Sequence, residues 1–351
     1  MKQRDRRLTD LQNFPSLLPS LLFFLGFFLL ACNGLGDSTP SGDPPSPGTK
    51  TKTWTEVTGS AGFSGREGSA AVVLNKEIFV IGGSDPTLLQ DRLWRSTDYG
   101  ATWTEITTTG SVVFSPRWRH AAIVFKGEIF VIGGYDGEDN NGMDLSDKSK
   151  DVNDVWKSAD GVTWTEVTAN AAFSIRRGHA TVVLNNEIFI IGGFTNDGKI
   201  NDVWKSADGA VWTQVASSTV LPARWGHKAV VLNDEIFVIG GSDGTVLNDV
   251  WKSADGVTWT QVTGDGKLPA RRDHEAVVLN GEIFVIGGST AIPGAISNEV
   301  WKSADGATWT QVRSTTAFPA RSLHAAVVLN DEIFVIGGLD TLWKNDVWAY
   351  R

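Results

Sequence analysis

The chain has 351 residues, a net charge of −9, 15 Trp and 38 Gly, but only two Met and one Cys. Aromatic residues at that density beside so much glycine suit packed strands joined by tight turns and exclude a helical bundle. The acidic balance argues against nucleic acid or an anionic membrane surface as a principal partner, and a single Cys leaves no disulfide framework.

At the start of the chain Lys2, Arg4, Arg6 and Arg7 precede an apolar run from Leu21 to Ala31. The run is too short to span a bilayer and has the shape of a signal-peptide core. It ends in Leu29-Leu30-Ala31-Cys32, which resembles a bacterial lipobox. The expectation is a lipoprotein signal peptide over residues 1–31, with lipid attached to Cys32 as the membrane anchor. A plain secretory signal, or a buried thiol at Cys32, is the alternative. Residues 32–50, rich in Pro, Gly and Ser, read as a flexible tether. By resemblance to Gram-negative lipoproteins, Asn33 instead of Asp after the cysteine implies the outer membrane; a Gram-positive cell surface is the other setting. Loss of residues 1–31 takes the net charge to about −11 by residue count.

From residue 51 onward the chain repeats itself. Ile-Gly-Gly occurs six times, its glycine pairs beginning at Gly82, Gly133, Gly192, Gly240, Gly287 and Gly337. Around each pair one grammar returns, clearest from Arg224 to Val262. An Arg-x-x-His start leads into Ala229-Val230-Val231-Leu232, the turn Asn233-Asp234, and Ile236-Phe237-Val238-Ile239 before Gly240-Gly241. After a variable loop come Asn248-Asp249-Val250-Trp251, the turn Ala254-Asp255-Gly256, and Thr258-Trp259-Thr260-Gln261-Val262. Each unit is four short β-rich runs separated by residues that tolerate positive φ. The two central runs are continuously apolar, as strands buried on both faces are.

The strand-ending glycine pair, the downstream aromatic pair and the period near 50 residues resemble the kelch repeat, and the resemblance covers residues 51–351. It implies an all-β, six-bladed kelch-type β-propeller. The third strand departs from the kelch pattern: Ser96-Thr97-Asp98-Tyr99-Gly100-Ala101-Thr102-Trp103 looks like the Asp-box turn of sialidase-like propellers, a folding turn without sialidase activity. The last unit stops at Asn345-Asp346-Val347-Trp348-Ala349-Tyr350-Arg351, lacking its fourth strand, while a spare Trp-Thr-Glu-Val copy (Trp54 to Val57) precedes the first. Residues 52–58 are therefore expected to pair with 345–351 and close the ring.

The loops after the glycine pairs vary in length and define one face as the expected binding surface. The longest, Tyr135 to Asp154, carries Asp136, Glu138, Asp139, Asp144, Asp147, Asp151 and Asp154, but lacks the spacing of a calcium loop and reads as a solvated acidic loop. Six arginines begin the innermost strands (Arg66, Arg117, Arg176, Arg224, Arg271, Arg321), with His120, His179, His227, His274 and His324 three residues after five of them and Ser69 in the sixth. A ring of Arg at a channel mouth suits a carboxylate or phosphate, but residues present in every unit are most simply blade architecture, meeting backbone carbonyls between neighbours. The histidines are too spread to hold a metal, and no cofactor is implied.

Function is better sought where the repeats disagree. After the ring arginine come Glu67, Trp118, Arg177, Trp225, Arg272 and Ser322, then Gly68, Arg119, Gly178, Gly226, Asp273 and Leu323. With Tyr135, Phe194, Asp85, Asp243, Asp340 and Trp343 from neighbouring loops, these offer exposed aromatic faces and charges as a platform for a protein or glycan. The reading is a monomeric, lipid-anchored binding module. A carbohydrate-active enzyme such as a sugar mutarotase or epimerase, which the resemblance allows because some kelch propellers work on sugars, and a non-catalytic surface structural protein are the alternatives.

Overall fold

The computed structural model describes residues 52–351 apart from 88, 91, 109–112, 138–149, 216–220, 263, 265 and 293–294. The expected signal peptide, the lipid attachment at Cys32 and the tether lie outside the described residues, as do Glu138, Asp139, Asp144 and Asp147.

Six four-stranded antiparallel sheets follow one another as the blades of a propeller. Blade 4 shows how the repeat folds. Its strands are Lys228–Leu232, Glu235–Ser242, Val246–Ser253 and Thr260–Gln261, from the axis outward. Asn233 and Asp234 both take left-handed backbone, with φ of 50° and 61°, so the first hairpin closes with Leu232 opposite Glu235. Such a two-residue turn matches strand twist only with positive φ at both positions, which Asn and Asp tolerate. Asn75-Lys76, Asn185-Asn186 and Asn330-Asp331 do the same.

The apolar second strand divides its side chains between two neighbours. Ile236 and Val238 join the core shared with blade 3, while Phe237 and Ile239 join the core shared with blade 5. The same alternation recurs around the ring and gives six inter-blade cores, the sixth lying between blades 6 and 1. This is why the run carries no polar residue: strand periodicity points alternate residues to opposite faces, and here both are interior.

The turn between third and outer strands locks onto the neighbouring blade. In Ser206-Ala207-Asp208-Gly209, Gly209 N donates to Ser206 Oγ, Asp208 Oδ1 accepts from Ala210 N and Val211 N, and Trp212 Nε1 donates to Gly209 O. Gly209 has φ of +79° and lies so close to Phe130 of blade 2 that a Cβ there would meet Cε1 at 2.6 Å. Glycine is required both by the backbone and by that approach.

The ring closes as the sequence implies. Trp54–Thr58 is the outer strand of blade 6, beside Trp343–Tyr350, with Trp54 opposite Tyr350 and Glu56 opposite Trp348. Reciprocal bonds between Thr53 and Arg351 extend the pairing, and Trp54 stands edge-on to Phe318 at 4.7 Å.

Candidate functional site

The residue after each ring arginine pairs with the residue after the glycine pair of its own blade. Glu67 bridges Ser84, Trp118 bridges Tyr135, Arg177 bridges Phe194, Trp225 bridges Ser242, Arg272 pairs with Ser289, and Ser322 bridges Leu339. The positions that break the repeat are thus gathered with the variable loops on one face.

The next residue in every blade is left-handed: Gly68, Arg119, Gly178, Gly226, Asp273 and Leu323 have φ between 54° and 64°. That conformation turns each N–H to the carbonyl of its counterpart one blade away. Gly68 N donates to Leu323 O, Leu323 N to Asp273 O, Asp273 N to Gly226 O, Gly226 N to Gly178 O, Gly178 N to Arg119 O and Arg119 N to Gly68 O, at 2.8–3.0 Å. A collar of six backbone hydrogen bonds closes the axis beneath the loops.

The ring arginines lie sealed in protein, at 0–1% exposure. Each donates to the first glycine carbonyl of its own pair at 2.8–3.1 Å. Neighbouring blades are joined instead by the arginine main chain, which accepts from Gly83, Gly134, Gly193, Gly288 and Gly338. Four guanidinium groups are held by both oxygens of a third-strand aspartate: Arg117 by Asp154, Arg176 by Asp202, Arg224 by Asp249 and Arg321 by Asp346, at 2.7–2.9 Å. The same carboxylates accept from Trp156, Trp204, Trp251 and Trp348. Glu299 reaches Arg271 and Trp301 more loosely, at 3.3 and 3.1 Å. These five arginines, held by carboxylates of the chain itself, therefore do not present an anion-binding mouth. Removing a partner strands a buried charge, so Asp202→Ala should cost about 3–5 kcal/mol in urea denaturation, much of it recovered by Arg176→Met with Asp202→Leu. Equal stability of Asp202→Ala and wild type would contradict this pairing.

Inside the collar lie the five histidines, which together with Lys228 and Glu275 line an axial cavity of about 50 Å³, room for a few water molecules. His227 Nε2 meets Ile191 O of the neighbouring blade at 3.1 Å. Burial, reinforced by Arg117, Arg176 and Arg224, pulls His120, His179 and His227 down to about 3, and burial lowers His274 and His324 as well. All five are neutral at physiological pH. Lys228 and Glu275, which replace the alanine of the other blades, pair between adjacent blades 4 and 5 at 2.6 Å.

On the outer side of the collar the repeat-breaking residues converge. Arg119 is sandwiched between Trp118 and Trp225, 4.4 and 4.9 Å from their rings, and its Nη1 binds Asp273 Oδ1 at 2.6 Å. Arg177 lies over Tyr135 and Phe194 and binds Asp151 at 2.9 Å. Arg272 lies over Trp225 at 4.8 Å, and Phe194 meets Trp225 edge-on. Trp118, Arg119, Arg177, Phe194 and Trp225 enclose a pocket of about 250 Å³. Glu67 is buried, and that burial raises its pKa against the pull of Arg119, with Asp273 adding to the rise.

Two expectations need correction. Trp118 and Tyr135 are not exposed aromatics: they are 6% and 1% accessible and form a small apolar cluster with Leu89. The Trp118 indole lies against Gly68, whose missing side chain leaves the space. Nor are all the acids of the long loop merely solvated, since Asp136 accepts from Ser115 while Asp151 and Asp154 hold arginines. Trp343 packs its main chain against Gly65, away from the pocket. Asp85, Asp243 and Asp340 cap their own loops through Thr87, Thr245 and Leu342. Among the described residues no three His, Cys, Asp or Glu side chains gather as metal ligands.

The model of the KLHDC2/KLHL20/DRC7 Kelch-repeats domain matches residues 100–288 and again 206–351. The leucine-zipper-like transcriptional regulator 1 homolog of Drosophila melanogaster is 26% identical over 155 residues, covering 43% of this chain and 16% of that protein. Kelch-like protein 35 of Homo sapiens is 31% identical over 145 residues, 41% of this chain and 21% of that protein. The tRNA wybutosine-synthesizing protein 2/3/4 of Oryza sativa subsp. japonica is 33% identical over 90 residues, 25% and 8% of the two chains. The matched stretch is a small part of each of these relatives.

Proposed function

This chain belongs to the kelch-repeat family, and from that premise we propose that it is a binding module whose ligand, a polypeptide or glycan, is held over the collar on the variable-loop face. The observation that carries the reading is the pocket made by Trp118, Arg119, Arg177, Phe194 and Trp225, drawn from three blades at positions where the repeats differ. Its aromatic walls supply contact area with little rotamer entropy to lose, and guanidinium groups stacked on those rings orient a polar ligand. The carboxylates of Asp273 and Asp151 bind arginines of the pocket, which favours holding a ligand over acid–base chemistry on it.

Glycan and peptide arrays probed with wild type and with Trp118→Ala plus Trp225→Ala test this. Array signal should be lost in the variant while circular dichroism remains that of a β-protein; equal binding by both would remove the pocket from the account. Trp225→Ala alone, at a half-buried position, separates binding from folding.

We also propose that the module is displayed from a bacterial envelope, most naturally the outer membrane, by lipid on Cys32, the reading that Leu29 to Cys32 supports. Expressed in a bacterial host, the full chain should incorporate labelled palmitate and partition into detergent. Cys32→Ala should do neither, and undiminished labelling of that variant would contradict the anchor.

A further inference from the structure

Four blades contain a three-donor cradle around a carboxylate, a fifth has a looser version, and blade 1 contains the donors without the acid. In blades 2, 3, 4 and 6 an aspartate accepts two guanidinium N–H groups and the third-strand indole N–H, whereas in blade 5 Glu299 accepts one guanidinium N–H and the indole N–H. Asn201-Asp202-Val203-Trp204 of blade 3 aligns with Asp91-Arg92-Leu93-Trp94 of blade 1, so an arginine stands where the acid belongs. Arg92 turns outward to Glu105 at 3.1 Å, in a largely exposed pair.

Both remaining donors are in place. Arg66 is 1% exposed and keeps its contacts to Gly82 O, Ser64 O and Ser64 Oγ, but among the described residues no carboxylate lies within ion-pair distance of it. Asp85 acts on it only through space and is itself engaged by Thr87 and Gln90. Trp94 Nε1, whose counterparts all donate to the acid, is buried without a partner. A buried guanidinium without an ion-pair partner and a buried unpaired indole N–H are each costly, and one acceptor relieves both. The sister acids show the path, since Asp154, Asp202, Asp249 and Asp346 retain 12–20% side-chain exposure and so sit at the surface of the loop face.

We propose that blade 1 binds a carboxylate supplied from outside the chain, held by the Arg66 fork and the Trp94 indole as Asp202 is held by Arg176 and Trp204. The site is separate from the axial pocket. The planar two-oxygen geometry selects carboxylate over spherical anions, because the fork and the indole address two different lone-pair directions.

Sodium acetate, titrated against sodium chloride at constant ionic strength, tests the proposal on the full chain by the indole ¹H–¹⁵N resonances. One indole signal, absent from Trp94→Phe, should move downfield saturably with acetate and not with chloride. Arg92→Asp supplies the carboxylate internally; its Trp94 signal should already be shifted, and acetate should bind at least about tenfold more weakly, the worth of one charged hydrogen bond. Trp225→Ala should bind acetate as wild type does. No saturable shift with acetate, or undiminished acetate binding by Arg92→Asp, would overturn it.

Discussion

Lowering the pH from 7.5 to 5.5 should sharply reduce the stability of this propeller. Burial, helped by the neighbouring ring arginines and Lys228, holds His120, His179 and His227 at about 3 and depresses His274 and His324. In the unfolded chain the same groups titrate near 6.5. The unfolded state therefore binds more protons between those values, so this stability is present above pH 6.5 and is lost as pH falls towards the folded values. Each histidine contributes roughly 1 kcal/mol per pH unit in that window, and five together approach the whole stability of an ordinary domain within one or two units. Glu67 and Glu275, raised by burial, act in the opposite sense, favouring the fold as acid protonates them, but they are two against five. Asp208 and Asp255, lowered by backbone N–H donors of their turns, lose their contribution only at lower pH. Urea midpoints should drop markedly between pH 7.5 and 5.5, and His227→Gln should flatten the dependence. Identical midpoints at the two pH values would contradict a neutral buried ring.

Deleting residues 51–58 should lower the melting temperature by roughly 5–10 °C. The deleted strand carries Trp54, 3% exposed, which packs on Phe318, Tyr350 and the core between blades 5 and 6. Loss of a buried Trp alone costs about 3–5 kcal/mol, and the deletion also leaves Trp343–Tyr350 as an unpaired edge prone to association. Trp54→Ala should account for most of the loss in monomeric stability. An unchanged melting temperature would mean that the ring does not depend on its N-terminal strand.

The fold was legible because each blade carries its own instructions: a left-handed two-residue turn, an apolar run facing two neighbours, and a glycine where the next blade presses in. Closure was legible because a missing fourth strand at one end matched a spare one at the other. The Arg–Asp cradle was not, since Arg176 and Asp202 lie far apart in sequence and Asn201-Asp202 reads equally well as the start of a strand. Only the recurrence of Asn-Asp-Val-Trp downstream of Arg117, Arg176, Arg224 and Arg321 hinted at it, with Glu299 and Arg92 replacing the aspartate in the other two blades. The collar was invisible because backbone makes it, and side-chain identity at Arg119, Asp273 and Leu323 gives no sign of a shared left-handed conformation. Convergence of Trp118, Arg177 and Trp225 followed from strand register, whereas the burial of Trp118 depended on the absence of a side chain at Gly68, one blade away.

The repeated polar residues build this ring, and we propose that binding lies where the repeats part company. The direct measurement takes the best ligand from the arrays and compares its affinity for Trp225→Ala and Arg272→Ala with that for Lys205→Ala, which breaks the recurrent cross-strand pair to Glu187. Trp225→Ala and Arg272→Ala should lose most of the affinity with little change in melting temperature, and Lys205→Ala should bind as wild type does. Loss confined to Lys205→Ala, with the other two unaffected, would place the ligand elsewhere and contradict the account.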